Sequence, residues 1–271
     1  MYLQLKELYL LIIFFFSNIM KEIYEIQLKP RALEITETEE VKFTSIVDYL
    51  QQIAYEHAFN LGLSFQQTFK QNLTWYLLRY YIVMNRYPKL DELLTVRSWV
   101  ASSDTKYTLR DFQILNQSGE ILCAATTSWL LFNFRKRRQV DHMDHFSNVP
   151  IQDDRAVDYG FPKLALPEKV DSKAEIRVRL SDLDLNNHVN NRVYIDWALE
   201  SIPKKQLKNY QISKLEISFK GQAFHKDNIL VETELKKGDK KEEEIIALSK
   251  ISNMKSGNLL TKMISYWNKR V

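Results

Sequence analysis

Asp182-Leu183-Asp184-Leu185-Asn186-Asn187-His188-Val189-Asn190-Asn191-Arg192-Val193-Tyr194-Ile195-Asp196-Trp197 places two carboxylates, two amides and a histidine in its first seven residues. It then turns apolar at helical spacing. Val189, Val193 and Trp197 form one stripe, and Ile195, Leu199 and Ile202 form another. A helix over Val189–Ile202 is therefore apolar nearly all round and must be buried.

Working outward, Lys173–Leu180 alternates as a strand before that helix. Leu215–Phe219, Ile229–Leu235, Glu244–Ile251 and Leu259–Trp267 read as strands after it, with turns at Gly238-Asp239 and Ser256-Gly257-Asn258. The same grammar occurs earlier in the chain. Ile23, Glu25 and Gln27 alternate before the breaker Pro30. Thr44 or Ser45 caps a helix that stops at Gly62, and a short helix follows near Ser64–Gln71. Leu73–Met84, Leu93–Ala101, Tyr107–Leu115 and Ile121–Phe134 then form a meander rich in β-branched and aromatic residues. Val47–Ala58 overlays Val189–Glu200 at a shift of 142, and Asp91–Leu94 overlays Asp227–Leu230 at a shift of 136. Two strand–helix–meander units of about 120 residues are expected. The fold class is α+β, each unit a long buried helix wrapped by a curved antiparallel sheet.

Composition sets the bounds. With 45% hydrophobic and 12% aromatic residues, the 271-residue chain can build a sizeable core. The single cysteine, Cys123, excludes an internal disulfide framework and a multi-cysteine metal site, and fits a reducing cytoplasm. A net charge of +4 is too mild for a nucleic-acid binder. Leu8–Phe16 is an apolar run too short for a bilayer span of ~20 residues. Lys6 is cancelled by Glu7, and no small-residue cleavage site follows. Residues 1–19 are expected to be a leader outside the fold, from a start site placed too early, with a membrane-associating segment as the alternative and no stable membrane insertion. Residues 20–140 form the N-terminal unit. Residues 141–170, polar and carrying Pro150, Pro162 and Pro167, form a linker crossing the surface. Residues 171–271 form the C-terminal unit.

The two units differ in chemistry. At the shift of 142, His188 falls on Ile46, Asn186 on Thr44 and Asp184 on Lys42, so the polar cluster belongs to the second unit alone. Asn186 or Asn187 sits where a helix N-cap belongs, and capping is the plainer reading of either. Together the residues suit water attack on a carbonyl. A helix N-terminus favours a developing oxyanion. A neutral His188 takes a proton from water. A carboxylate fixes the ring's tautomer, and an amide holds carbonyl or water. The sequence lacks a Gly-x-Ser-x-Gly elbow and an HExxH or clustered Cys/His set, so neither a covalent hydrolase nor a metal site is expected, and no cofactor.

Arg179–Asn191, with Tyr194–Glu200, resembles the acyl-acyl carrier protein thioesterases of the plant FatA/FatB and bacterial type. So do Asn85-Arg86-Tyr87-Pro88, Ser98-Trp99-Val100, Arg110-Asp111-Phe112 and Ser128-Trp129-Leu130 in the first unit. The resemblance covers most of residues 20–271 and implies two tandem hotdog domains. It implies hydrolysis of fatty acyl-acyl carrier protein to free fatty acid, ending or diverting fatty acid synthesis. By motif, the family's Asp, Asn and His correspond to Asp184, Asn186 and His188. The family's further active-site residue, often Glu or Glu-Cys on the next long strand, corresponds to Gln222, which can orient water or substrate but cannot act as a base. The acyl chain is expected in an apolar channel of the first unit. The basic run Arg135-Lys136-Arg137-Arg138 is expected to receive the acidic carrier protein. An acyl-coenzyme A thioesterase and a non-catalytic acyl-carrier-binding protein are the alternatives, and homodimerisation stays open.

Overall fold

The computed structural model describes residues 22–103, 106–238 and 244–270, and the leader expected over residues 1–19 lies outside them. Strand β1 (Ile23–Leu28) is followed by helix α1 (Phe43–Asn60) and the short α2 (Phe65–Phe69). Strands β2 (Leu73–Met84), β3 (Leu94–Ser103), β4 (Thr108–Leu115), β5 (Ile121–Asn133) and the two-residue β6 (Arg138–Gln139) come next. After a one-turn helix α3 (Met143–Phe146) the pattern recurs as β7 (Ser172–Arg177), α4 (Asn191–Glu200) and α5 (Lys204–Leu207). Strands β8 (Tyr210–Phe219), β9 (Asn228–Lys237), β10 (Ile245–Asn253) and β11 (Leu259–Lys269) complete it.

Among the described residues the strands form one antiparallel sheet in the order β1-β3-β4-β5-β2-β8-β11-β10-β9-β7, with β6 beside β5. The order is mirrored about the β2–β8 pair, which runs from Arg79 opposite Ser218 to Val83 opposite Lys214. Each half curls around its own helix. Ile46, Val47, Leu50 and Ile53 of α1 are fully buried, and Val193, Tyr194, Ile195, Trp197 and Ala198 of α4 are buried. Each such aliphatic side chain contributes about 1.5–3 kcal/mol through burial. Gly62, at φ +76°, ends α1: its N–H donates to Phe59 O, and the Leu63 N–H donates to Ala58 O. That pair of bonds is a Schellman motif, which requires the left-handed residue that glycine supplies without strain.

The repeat has a different register from the one the apolar stripes suggest. The 3-10 turns Ala32–Glu34 and Leu180–Asp182 are built alike: Glu34 reaches back to Arg31, and Asp182 to Arg179. The bridges Ile35–Val41 and Leu183–Val189 follow, and then the N-caps Lys42 and Asn190. All of these pairs stand 148 positions apart, not 142. A helix buried on most of its surface fits another at several offsets. The acid that closes each turn fixes the register, and Glu in one copy against Asp in the other hides it.

Residues 152–171 lie across one face of the sheet, strand after strand. The Gln152 N–H donates to Val100 O (2.8 Å), and Trp99 Nε1 donates to Asp154 O. Arg155 pairs with the buried Asp111 (2.9 Å). Tyr159 stacks on Tyr81 at 3.8 Å and donates to Glu216, and the Glu168 N–H donates to Glu234. No helix among the described residues is long and apolar enough to cross a membrane.

Candidate active site

The loop 184–188 is a tight turn closed by its own backbone. The Asp184 N–H donates to His188 O (2.8 Å), and the Asn187 N–H donates to Asp184 O (3.1 Å). Asn187 takes φ +58°, which asparagine tolerates better than most residues. The first half repeats this geometry: the Thr36 N–H donates to Glu40 O (2.8 Å), the Glu39 N–H donates to Thr36 O (3.1 Å), and Glu39 has φ +61°. In the true register Asp184 therefore stands on Thr36, Asn186 on Thr38 and His188 on Glu40. The first loop is polar after all, but its groups are engaged. Thr38 Oγ1 donates to Glu40 (3.1 Å), and Arg270 reaches both Thr38 and Glu40.

In the second loop the Asp184 carboxylate is the organiser. Its Oδ1 accepts from the Asn186 N–H (2.8 Å) and the His188 N–H (3.3 Å). The expected contact between a carboxylate and the His188 ring is not made. Asp184 holds the backbone of His188 because the turn folds that amide under it. The ring instead meets Phe224 edge-on at 5.2 Å, and among the described residues it has no hydrogen-bond partner. Neither Asn186 nor Asn187 caps the helix. Asn190 does, its Oδ1 accepting from the Arg192 N–H at 2.8 Å, so α4 starts at Asn191 and not Val189. Asn190→Ala is expected to cost about 1 kcal/mol of stability, which a shifted urea midpoint would report.

Gln222 is not on a strand. β8 ends at Phe219, and residues 220–227 cross back in irregular conformation. Gly221 permits this path, because a Cβ there would lie 3.1 Å from Leu260 Cδ2 and 3.3 Å from Leu259 O. The segment is stitched to the helix and loop: the Ala223 N–H donates to Tyr194 Oη (2.9 Å), and the Val189 N–H donates to Ala223 O (3.1 Å). Burial, offset in part by the Ala223 hydrogen bond, pushes the Tyr194 hydroxyl up to about 12. Tyr194→Phe leaves the buried Ala223 N–H without its acceptor, at a cost of about 1–3 kcal/mol. Faster hydrogen exchange of that amide is the expected sign.

Asp184, Asn186, His188 and Gln222 all line one cavity of ≈ 870 Å³. Asn190 and Asn191 line it too, at the positive end of α4. The rest of the wall is mostly apolar and comes largely from the first half, including Leu50, Ala54, Trp75, Leu77, Phe112 and Trp129. Three further lining residues are not among the site residues expected from the sequence. His142 is buried in a segment that reads as linker. Lys220 is pulled below the ordinary lysine range by burial and by the charges of Arg79 and Lys262. Arg110 is buried, and burial pulls its guanidinium down to about 10; its Nη1 reaches His57 Nδ1 (2.8 Å) and Ser98 Oγ (3.0 Å). Strand alternation gives no signal for a cation placed inward.

Arg135, Lys136, Arg137 and Arg138 do not line the cavity. Arg135, Lys136 and Arg137 are exposed at the turn between β5 and β6, where the Lys136 N–H donates to Asn133 Oδ1 (2.8 Å), and the exposed Arg138 opens β6. Leu73 faces Asn133, so the basic turn lies at the start of β2, whereas Arg79 faces Ser218, so β8 ends about 20 Å further along that strand.

Comparison with known proteins adds to this geometry. The family model described as acyl-ACP thioesterase N-terminal domain matches residues 19–149, and that described as acyl-ACP thioesterase C-terminal domain matches residues 166–269. A palmitoyl-acyl carrier protein thioesterase of Cuphea hookeriana is 31% identical over 207 residues, covering 70% of this chain and 49% of its own. An oleoyl-acyl carrier protein thioesterase of Arabidopsis thaliana is 27% identical, covering 73% and 59%. The chain thus spans about half the length of the curated relatives it matches. Among solved structures, the 12:0-ACP thioesterase of Umbellularia californica superposes with TM-score 0.82 at 20% identity, covering 92% of this chain and 94% of that one. An acyl-ACP thioesterase of Bacteroides thetaiotaomicron gives 0.79 at 18%, covering 91% and 98%. These likenesses show the fold, two hotdog units in an α+β chain.

Proposed function

This chain belongs to the acyl-ACP thioesterase family, and from that premise we propose that it hydrolyses the thioester of fatty acyl-acyl carrier protein. Free fatty acid leaves, and fatty acid synthesis is ended or diverted. The observation that carries this reading is the meeting of Asp184, Asn186, His188 and Gln222 at one wall of a cavity whose other walls are chiefly apolar. An acyl chain fits such walls, and its carbonyl belongs beside the polar group.

In this reading a water beside His188 attacks the thioester carbon, and the unengaged imidazole takes its proton. The negative charge of Asp184 stabilises the imidazolium that forms. The Asn186 and Gln222 amides, with the positive end of α4, hold the oxyanion. Collapse of the tetrahedral species returns the proton from His188 to the departing sulfur. Gln222 only orients, because an amide accepts no proton here. The cytoplasmic setting, read from the single buried Cys123, is part of the same proposal.

Relative rates on acyl carrier protein and coenzyme A thioesters of one chain length test the substrate class. The expected result is a higher kcat/KM on the carrier protein, reduced by charge reversal at Arg137 and Arg138. A higher kcat/KM on coenzyme A would assign the chain to coenzyme A substrates, and equal effects of the reversal on both would remove the docking role of the basic run.

A further inference from the structure

Three apolar side chains stand out of the surface beside the catalytic loop. Leu185, between Asp184 and Asn186, is 79% exposed; Leu180 is 70% exposed and Phe224 49%. None of them lines the cavity, so a bound acyl chain does not cover them. They belong to one continuous rim. The Lys226 N–H donates to Val178 O (3.1 Å), the Leu183 N–H donates to Leu180 O (3.3 Å), and the His188 and Phe224 rings touch. Exposed apolar groups clustered at the mouth of a site mark a contact surface.

The charges of the rim say what that surface meets. Arg177, Arg179, Lys220 and Lys226 are exposed on it. Of the carboxylates beside them, Asp182 pairs with the Arg179 guanidinium (3.1 Å) and accepts from the Arg179 N–H, Asp227 accepts from the Phe224 N–H, and Asp184 from the loop. Glu175, exposed on β7, stands two residues further along the strand from the loop than Arg177. With Arg179 paired, the rim presents Arg177, Lys220 and Lys226 around the apolar knobs, a match for an acidic protein face with a shallow apolar groove.

We propose that Leu180, Leu185 and Phe224, flanked by Arg177 and Lys226, seat the acidic carrier protein while its acylated arm enters the cavity beside them. This rests on the carrier-protein reading above and adds a second docking element to the basic turn at Arg135–Arg138. The apolar knobs fix the carrier at the mouth, and the cations steer it there, so capture weakens as salt rises.

The test uses Leu180→Ser and Arg177→Glu, two exposed positions outside the cavity. Steady-state kinetics compare acylated carrier protein with the same acyl chain on pantetheine. The expected result is a KM for the carrier substrate raised about tenfold in the double variant, with kcat unchanged. The pantetheine thioester should keep its kcat/KM within about twofold. Equal losses on both substrates, or no change on either, would overturn the proposal. So would a wild-type dimer that Leu180→Ser dissociates while the carrier KM stays fixed, because a second copy would then own the patch. If the wild type released no fatty acid from any thioester, the proposed function would fall by itself. Fluorescence anisotropy with labelled acyl carrier protein then reads the surface directly: binding weakened by both substitutions upholds it, and binding indifferent to them overturns it.

Discussion

His188→Ala is expected to lower turnover on acylated carrier protein by about 10²–10⁴-fold, the contribution usual for a positioned general base. The fold should persist, because the ring makes no hydrogen bond among the described residues and touches mainly Phe224. Asp184 behaves differently. Asp184→Ala removes the acceptor that gathers the Asn186 and His188 N–H groups, so activity falls and the loop also loosens. Asp184→Asn keeps an oxygen for those amides but discards the charge. It should fold normally and still lose about 10²-fold in kcat. Far-ultraviolet circular dichroism and fatty acid release, measured on the same preparations, separate the two effects. An Asp184→Asn protein as active as the wild type would reduce Asp184 to a loop-former.

The second large effect lies far from the chemistry. Asp111 is fully buried on β4 and accepts from Arg155 Nε (2.9 Å) and the Ala156 N–H (2.8 Å). Arg155 also donates to Thr126 Oγ1 (3.0 Å) and Val157 O (3.1 Å), so one carboxylate anchors the segment lying across β3, β4 and β5. Asp111→Ala leaves a half-buried guanidinium and a backbone amide without their acceptor. The expected loss is about 3 kcal/mol, the lower end for a broken buried pair because Arg155 still reaches water. That corresponds to a fall in Tm of about 6–10 °C. Scanning calorimetry reports it; a shift under about 2 °C would mean that the strap is held elsewhere.

Sequence texture revealed the strands better than the contacts. Leu73–Met84 is read correctly residue for residue, because β-branched and aromatic residues fill it and Tyr87-Pro88 follows. The polar loop was legible because its density of carboxylate, amide and imidazole has no ordinary structural explanation in a helix approach. Its internal wiring was not. Which of Asn186, Asn187 and Asn190 caps α4 depends on where the turn closes, and that is a backbone event at Leu183 and Val189. The repeat was visible but slipped by six residues, since a helix buried on most faces matches at several offsets. Gln222 looked like a strand residue because the apolar run of β8 leads straight to it. Only the close approach of Gly221 to Leu260 shows why the strand ends at Phe219. The buried cation of Arg110 had no local signal, because its partners His57 and Ser98 come from other elements.

The most direct measurement is the release of free fatty acid from purified protein mixed with acyl carrier protein loaded with chains of defined length. The account predicts catalytic release, many equivalents per protein, from at least one chain length, abolished to background by His188→Ala. Acyl carrier protein that binds the chain tightly and returns with its thioester intact, at every length, would contradict it.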